Sequence, residues 1–484
     1  MADKKEITKK SINISEWYND VVIKAQLADY GPVKGTMIIR PYGFAIWENV
    51  QKILDSMFKE YGVQNAYFPL FIPMSFLQRE KAHVEGFSPE LAVVTIGGGE
   101  KLQEPVVVRP TSETIMYEAY AKWIQSWRDL PVLINQWNNV VRWEKRTYLF
   151  LRTSEFLWQE GHTAHATEGE AIQMQEKALE WYKTTYEDYY AMPVLTGMKS
   201  AKEKFAGAKT TYTVEALMPD GKALQACTSH NLGQNFSKAF DISFQNKEGH
   251  NDFVWQTSWG FSTRSLGGLF LTHGDDQGLV LPPKIAPTKV VIIPIFGTEE
   301  EKVLAYAKEI HAAITHIPSV FAGKVTVLGE DWKTMGWKIN EAELQGIPLR
   351  ITVGPKEIEN KTITIKTRIE IQGQSQFEVP LTDVADKVEN LLVQLQKQLY
   401  ENAKKFLDEN THIVDAYEEF KKIMQTKKGF LKAFWCEDPE CEAKIKEETK
   451  ATTRCLEFNS KEENGVCIYC GKPAKHRWVF AQAY

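Results

Sequence analysis

Between Val140 and His165 the chain reads VVRWEKRTYLFLRTSEFLWQEGHTAH, with charged and aromatic residues at strand-like spacing. Alternate residues of a strand share a face, so Arg142 and Glu144 project together with Val140, opposite Val141 and Trp143. After a turn near Lys145 to Thr147, even positions of a second run carry Arg152, Trp158, Glu160 and His162, with Thr153 beside them, and odd positions carry Leu149, Leu151 and Leu157. Arginine forks suit phosphate oxygens because they offer several donors in one plane, and a carboxylate can accept the exocyclic amine of a purine. The stretch reads as a floor for a nucleotide and an amino acid, or as a solvent-facing hairpin with ion pairs across its strands.

Three other stretches offer related chemistry. Arg109-Pro110-Thr111-Ser112-Glu113 follows an apolar strand, Pro105 to Val108, and precedes a helix with Ile115, Met116, Tyr120 and Trp123. A threonine with glutamate in the first turn is also an ordinary helix start. Thr210 to His230 spells a hairpin turning at Pro219-Asp220-Gly221, with Glu215 on its first strand and Gln225, Thr228 and His230 on its second. A single histidine there also suits a cap or a core. From Phe253 a strand runs to Gly260, Ser262 and Arg264 sit at the turn, and a helix with Gly267-Gly268 begins, its N-terminus favourable to phosphate. Helical glycines cost about 1 kcal/mol each relative to alanine, so the pair implies close packing.

Five of the six cysteines follow Trp435. Cys436-x4-Cys441 and Cys467-x2-Cys470 are short-spaced pairs separated by a loop, the pattern of a closed zinc site of four thiolates. Cys455 falls outside the pairs and is an alternative ligand.

The elements that must position these residues follow from periodicity. Arg40-Pro41-Tyr42-Gly43 opens a helix with Ile46, Val50, Ile53 and Leu54 on one face, and Phe68 to Pro73 reads as an edge or crossover segment. KAHVEGFSPE (81–90) and Gly97-Gly98-Gly99 are polar, glycine-rich stretches that suit a hairpin better than a phosphate loop, since no Gly-Lys-Ser/Thr follows. Ala171 to Tyr190 is an amphipathic helix. From Lys289 to Phe377 strands and helices alternate, with a capping box at Thr298-Glu299-Glu300-Glu301, predicting a small parallel or mixed sheet. Val384, Val388, Leu391, Leu395, Leu399 and Phe406 stripe a long helix leading to the cysteine-rich end.

At 484 residues the chain is too long for one core, and 43% hydrophobic with 25% charged residues is ordinary for a globular protein. A net charge of −5 excludes a uniformly basic nucleic-acid binder but leaves room for a local basic patch. The lysine-bearing start lacks an apolar core and a cleavage site, and no apolar run approaches the ~20 residues of a membrane helix. With clustered thiols suited to a reducing compartment, the expected location is cytoplasmic and the expected partners include no membrane.

Arg142-Trp143-Glu144, the loop to Arg152-Thr153, and Trp158-Gln159-Glu160-Gly161-His162 resemble the second signature motif of class II aminoacyl-tRNA synthetases, and the Phe-Leu-Trp-Gln-Glu-Gly-His continuation resembles the prolyl-tRNA synthetases. The stretch around Pro41 resembles the first motif and Phe253 to Pro283 the third; Gly336-Trp337-Lys338 and Gly346 to Arg350 resemble a class II anticodon-binding domain. The resemblance implies an α+β fold: an antiparallel-sheet catalytic domain (1–283), an α/β anticodon-binding domain (284–383), and a linker helix with a small zinc-binding α+β domain (384–484). It implies activation of L-proline by ATP with magnesium, transfer of the prolyl group to tRNA(Pro), and a homodimer. It assigns Thr111, Glu113, Arg142, Trp158, Glu160, His162, Phe205 and His230 to proline, and Arg142, Glu144, Arg152, Thr153, Gln225, Thr228, Ser262 and Arg264 to ATP, with Arg142 and Arg264 as the catalytic cations. Glu215 is a candidate for orienting magnesium. Lys356, Lys366 and Arg368 are candidate tRNA phosphate contacts, or solvated surface charge. The final Val479 to Tyr484 resembles a family tail that folds toward the active site. The stretch from His165 to Phe253 is too short for a bacterial-type editing insertion, so the type is archaeal or eukaryotic-like and no editing of alanine is expected. A tRNA-binding paralogue without catalysis and a threonyl- or histidyl-type enzyme are the competing readings; three retained arginines and an aromatic pocket, with the only metal cluster far along the chain, disfavour them.

Overall fold

Local chemistry starts the first two helices. Asn13 accepts hydrogen bonds from the backbone N–H groups of Ser15 and Glu16 and caps α1 (Ile14–Lys24). Pro41 takes the first turn of α2 (Pro41–Tyr61), where its missing N–H costs nothing. The computed structural model describes residues 6–78, 91–297, 299–318 and 323–484. The expected polar stretch 81–90 and Thr298 of the expected capping box lie outside the described residues.

Among the described residues, eleven strands form one large sheet. In chain order its first seven are β1 (Gln64–Asn65), β2 (Val132–Val141), β3 (Glu155–His165), β4 (Leu195–Met198), β5 (Thr210–Leu217), β6 (Ala223–Gly233) and β7 (Trp255–Ser262). The spatial order β4-β5-β6-β7-β3-β2 is antiparallel throughout, and β1 adds a parallel edge. Helices α1, α2 and α4 (Glu168–Thr184) bury their apolar faces on this sheet, with Trp17, Trp47, Phe58, Trp181 and Trp259 in one core. The helix α3 (Glu113–Trp123) joins a smaller core with Phe236 and Phe240. Helix α5 (Arg264–His273) follows β7, and a Cβ at Gly267 would meet the Leu151 side chain at 2.6 Å, which is the close packing its glycines imply. The Gly98-Gly99 turn does close a hairpin, between strands Ala92–Gly97 and Glu100–Val108.

The alternation expected across 140–165 holds only in part. β2 ends at Val141 and β3 begins at Glu155, so Arg142, Glu144 and Arg152 stand on a loop rather than on strand faces. Leu149, Phe150 and Leu151 are all buried in succession, which an alternating strand cannot do, and Phe150 turns the chain with φ 62°.

The second unit is a mixed sheet of β8 (Thr288–Pro294), β9 (Lys324–Val327), β10 (Leu349–Val353), β11 (Thr362–Ile371) and β12 (Gln374–Pro380) in the order β9-β8-β10-β11-β12. β8 is parallel to both neighbours. Helix α6 (Glu300–Ile314) covers it, with α7 (Met335–Leu344) lying between β9 and β10 in sequence. The striped helix is α8 (Val384–Glu409): Val384 to Leu399 bury in this unit's core, and Leu407 reaches the core of the next.

The tail does not stand apart. Its strands β13 (Thr411–Ile413), β14 (Phe430–Phe434), β15 (Ala451–Glu457) and β16 (Arg477–Gln482) extend the catalytic sheet as β13-β14-β16-β15-β4, with Leu456 opposite Met198. Helix α9 (Pro439–Thr449) packs over them. Tyr484 donates its backbone N–H to Ala223 at the start of β6, which continues into Gln225.

Candidate active site and zinc-binding cluster

The loop after β2, strands β3, β6 and β7, and the starts of α3 and α5 surround a cavity of about 310 Å³. Every residue expected at proline or ATP lines it; of the expected catalytic-domain residues, Glu215 alone does not. The register of β3 explains the floor. Trp158 lies opposite Asn138 of β2 and Ser262 of β7, and Glu160 opposite Gln136 and Gly260. A Cβ at Gly161 would fall 2.2 Å from the Trp259 ring, so glycine there lets the indole pass under the strand while Glu160 and His162 face the cavity.

Glu160 is buried in donors: Asn138 Nδ2 at 2.6 Å, the Ser112 N–H at 2.9 Å, the Ser112 hydroxyl, and His162 Nε2 at 3.1 Å. Burial opposes its charge, but the bond and charge of His162, with Ser112 and Asn138, outweigh it and hold the carboxyl at about 2. Burial pulls the His162 pKa down, yet Glu113 and Glu160 together raise it above its ordinary value. Glu113 itself accepts from the Thr111 hydroxyl at the start of α3. Oxygen and nitrogen atoms of Glu113, Glu160 and His162 lie within 4.8 Å of one another. A second metal-capable group therefore stands inside the cavity, contrary to the expectation that the only one lies in the tail. Its ligands are already tied to each other and to Thr111, Ser112 and Asn138.

The opposite wall is aromatic. Phe205 stacks on His230 with centroids 4.5 Å apart and planes at 27°. His230 is held by Thr211 at Nδ1 and Thr228 at Nε2, each 3.0 Å away, and burial, with the charges of His162, Arg142 and Lys199, pushes its pKa down to about 3. It is neutral at working pH.

Arg142 bonds the Pro110 carbonyl through Nε (3.1 Å) and lies over the rings of Trp158 and Phe156 at 5.3 and 5.6 Å. Arg264 bonds the Leu151 carbonyl at 2.9 Å, and Arg152 pairs with Glu144 at 2.8 Å. Burial, then Arg142 and Arg152, lower the Arg264 pKa: three guanidiniums crowd one wall. Thr153 Oγ1, Trp158 Nε1 and Ser258 Oγ are buried there without a partner among the described residues. Clustered cations and orphaned donors fit a polyanionic, hydrogen-bonding ligand.

Glu215 is not open to magnesium. It is fully buried, with Oε1 taken by Lys199 (2.8 Å) and Oε2 by Arg454 of the tail (2.7 Å). Burial opposes its charge, but Arg454 and then Lys199 hold the carboxyl below its ordinary value. Arg368 is likewise taken, by a two-pronged bond to Asp275 at 2.6 and 2.7 Å. Lys366 lines a separate cavity of about 680 Å³ together with Arg350, whose buried Nε has no partner among the described residues. Residues missed by sequence reasoning are Gln136 and Asn138 on β2 and Ser112; the two amides carry a signal, standing in the otherwise apolar run VLINQWNNVV on the same sheet face as Glu160 and Trp158.

In the tail, Cys436 Sγ lies 3.7 Å from the sulfurs of both Cys441 and Cys470, and Cys467 completes a cluster with all four within 4.8 Å. Four sulfurs at about 2.3 Å from a tetrahedral zinc would be about 3.8 Å apart, so the quartet fits that ion. Cys455 is buried elsewhere, on β15.

The family pattern described as prolyl-tRNA synthetase, C-terminal, matches residues 417–484. The tRNA synthetase class II core domain (G, H, P, S and T) matches 97–272, and an anticodon binding domain matches 289–391. The chain is 54% identical to the proline–tRNA ligase of Chlorobium luteolum over 493 residues, covering 100% of each. The chain belongs to the prolyl-tRNA synthetases. Two other members of this synthetase family are the proline–tRNA ligase of Porphyromonas gingivalis strain W83, 52% identical with 99% of each chain covered, and proline–tRNA ligase 2 of Clostridioides difficile, 50% identical with 99% of this chain and 98% of that one covered.

Among the described residues no helix is long and apolar enough to cross a membrane. The buried neutral histidines of this synthetase set an acid limit. Burial also lowers the His165 pKa, to about 4. Below the unfolded value near 6.5 the unfolded chain binds protons that His165 and His230 refuse, so stability falls with pH by up to about 1.4 kcal/mol per histidine per unit. His162, shifted upward, contributes stability that is fully present in this window and is lost only as the pH rises above it. Melting temperatures at pH 7 and pH 5 should differ less in His165→Asn than in the parent.

Proposed function

We propose that this chain is a proline–tRNA ligase: it joins L-proline to ATP, releasing pyrophosphate, and passes the prolyl group from the adenylate to the 3′ end of tRNA(Pro). The observation that carries this reading is the meeting, in one cavity, of a carboxylate-and-aromatic pocket and a wall of three guanidiniums. Glu160 spends its charge on His162, which leaves Glu113 and Thr111 to receive the secondary ammonium of proline. The flat Phe205–His230 wall and Trp158 match the ring by shape, at about 1–3 kcal/mol per methylene. The proline carboxylate is ionised at neutral pH and needs no base to attack the α-phosphate. Arg142 and Arg264 then position it and neutralise developing charge, while Arg152, Glu144, Thr153, Gln225, Thr228 and Ser262 hold the nucleotide. Magnesium belongs with ATP in this chemistry, but Glu215 does not fit as its ligand and no step is assigned to it.

Zinc held by Cys436, Cys441, Cys467 and Cys470 would cross-link the tail and take no part in the reaction. The cavity beside Arg350 and Lys366 suits anticodon bases and phosphates. Exposed Tyr30, Val33, Ile38 and Phe44 around the start of α2 support a homodimer, and the reduced thiol quartet supports a cytoplasmic site. Between β3 and β7 the described elements are α4, the sheet strands β4 to β6, a short helix (Asn235–Ala239) and a small hairpin (Ser243–Gln245, Asn251–Phe253), which supports the absence of alanine editing. Labelled pyrophosphate should exchange into ATP with proline and with no other standard amino acid at comparable efficiency; exchange led by a different amino acid overturns the assignment.

A further inference from the structure

The aromatic wall of the pocket rests on a short loop whose root is held from the tail. Phe205 takes its place because its N–H donates to Thr211 Oγ1 (3.0 Å), the same oxygen that holds His230. The loop begins at Lys199 and Ser200, both buried. Ser200 closes its first turn twice: its hydroxyl accepts from the Glu203 N–H at 3.2 Å, and its carbonyl accepts from the Lys204 N–H at 3.0 Å.

Two tail residues grip that root. Arg454 of β15 holds Glu215, which holds Lys199. Glu442 of α9, 1% exposed, accepts from the Ser200 hydroxyl at 3.2 and 3.4 Å and from Thr453. A carboxylate only accepts. It therefore commits the Ser200 proton to the tail and leaves the serine lone pair for the Glu203 N–H, the polarity that closes the turn. Glu442 directly follows Cys441 on α9, so the cysteine cluster and this carboxylate are carried by the same helical turn.

We propose that Glu442, acting through Ser200, is a positioning residue for the amino-acid pocket, setting the Phe205 wall from the tail domain. Among the described residues its oxygens meet two hydroxyls rather than a cation, so this buried carboxylate does not serve to neutralise a charge. The inference rests on the reading of the Phe205 side as the proline pocket.

The test is steady-state pyrophosphate exchange with full-length Glu442→Gln, Ser200→Ala, the double variant, and Phe205→Ala as control, alongside melting temperature and zinc per chain. The glutamine is isosteric but can donate toward Ser200, reversing the polarity. In Glu442→Gln and Ser200→Ala the KM for proline rises about 5- to 10-fold, the weight of one ordinary intramolecular hydrogen bond, while the KM for ATP stays within about twofold and zinc content is unchanged. The double variant is no worse than the poorer single, because both break one contact. A proline KM within about twofold of the parent in either folded variant, or KM values for proline and ATP rising together, overturns the proposal. If Glu442→Gln does not fold, Ser200→Ala decides alone. An unchanged proline KM in Phe205→Ala would instead overturn the pocket reading beneath it.

Discussion

In Arg142→Ala, proline-dependent pyrophosphate exchange falls about 10³-fold or more, in line with the loss of a preorganised cation at a phosphoryl transition state. The side chain is fixed before substrate arrives: Nε is tied to the Pro110 carbonyl, and the guanidinium lies against the edge-to-face pair of Trp158 and Phe156 rings. Burial, and then the charges of Arg142 and Arg152, lower the Arg264 pKa, and a polyanion relieves the repulsion among these cations as its charge grows. Arg142→Lys keeps the charge but loses the planar fork, and should retain little of the exchange. Melting temperature should move by only a few degrees, because the residue lies at the edge of the cavity rather than in the core. Exchange within a few-fold of the parent would remove Arg142 from the ATP site.

Cys467→Ser should give the second large effect, loss of bound zinc together with loss of folding stability. Cys467 is 2% exposed and packs in the tail core with Trp435, Cys441 and Ile468, so a serine leaves both an incomplete ligand set and a buried hydroxyl. A loss of about 4 kcal/mol corresponds to a melting shift on the order of 10 °C. The damage should not stay local, because β15 of the tail pairs with β4 of the catalytic sheet and Arg454 neutralises the buried Glu215. Zinc analysis and thermal melting of the parent with and without a chelator give the same comparison without mutation. Unchanged melting after complete metal removal would show that the thiol quartet carries no structural load.

Much of the site is legible in the chain because its residues act in short, spaced groups. Trp158-x-Glu160-x-His162 lies along one strand, where a spacing of two means a shared face, Gln225 to His230 lies along another, and Thr111-x-Glu113 and Ser262-x-Arg264 run into the starts of α3 and α5. The same holds for the cysteine pairs, the β5–β6 turn at Asp220-Gly221 and the stripe of α8, all set by local geometry.

What the tertiary structure decided is which charges were already spent, and on whom. Glu215 looked like a metal ligand because nothing near it in sequence neutralises it; its partners are Lys199 on a neighbouring strand's end and Arg454, 239 residues away. Arg368 looked like a phosphate contact until Asp275, 93 residues earlier, closed on it. The loop at 142–154 broke the strand alternation because Leu149, Phe150 and Leu151 all found the same core, and burial outranks periodicity when a segment can turn. The tail appeared as a separate domain because its core and cysteines are local, yet its strands complete the catalytic sheet. Spacing along a chain records which side chains face the same way; only the folded packing records which opposite charge, or which open strand edge, lies across from them.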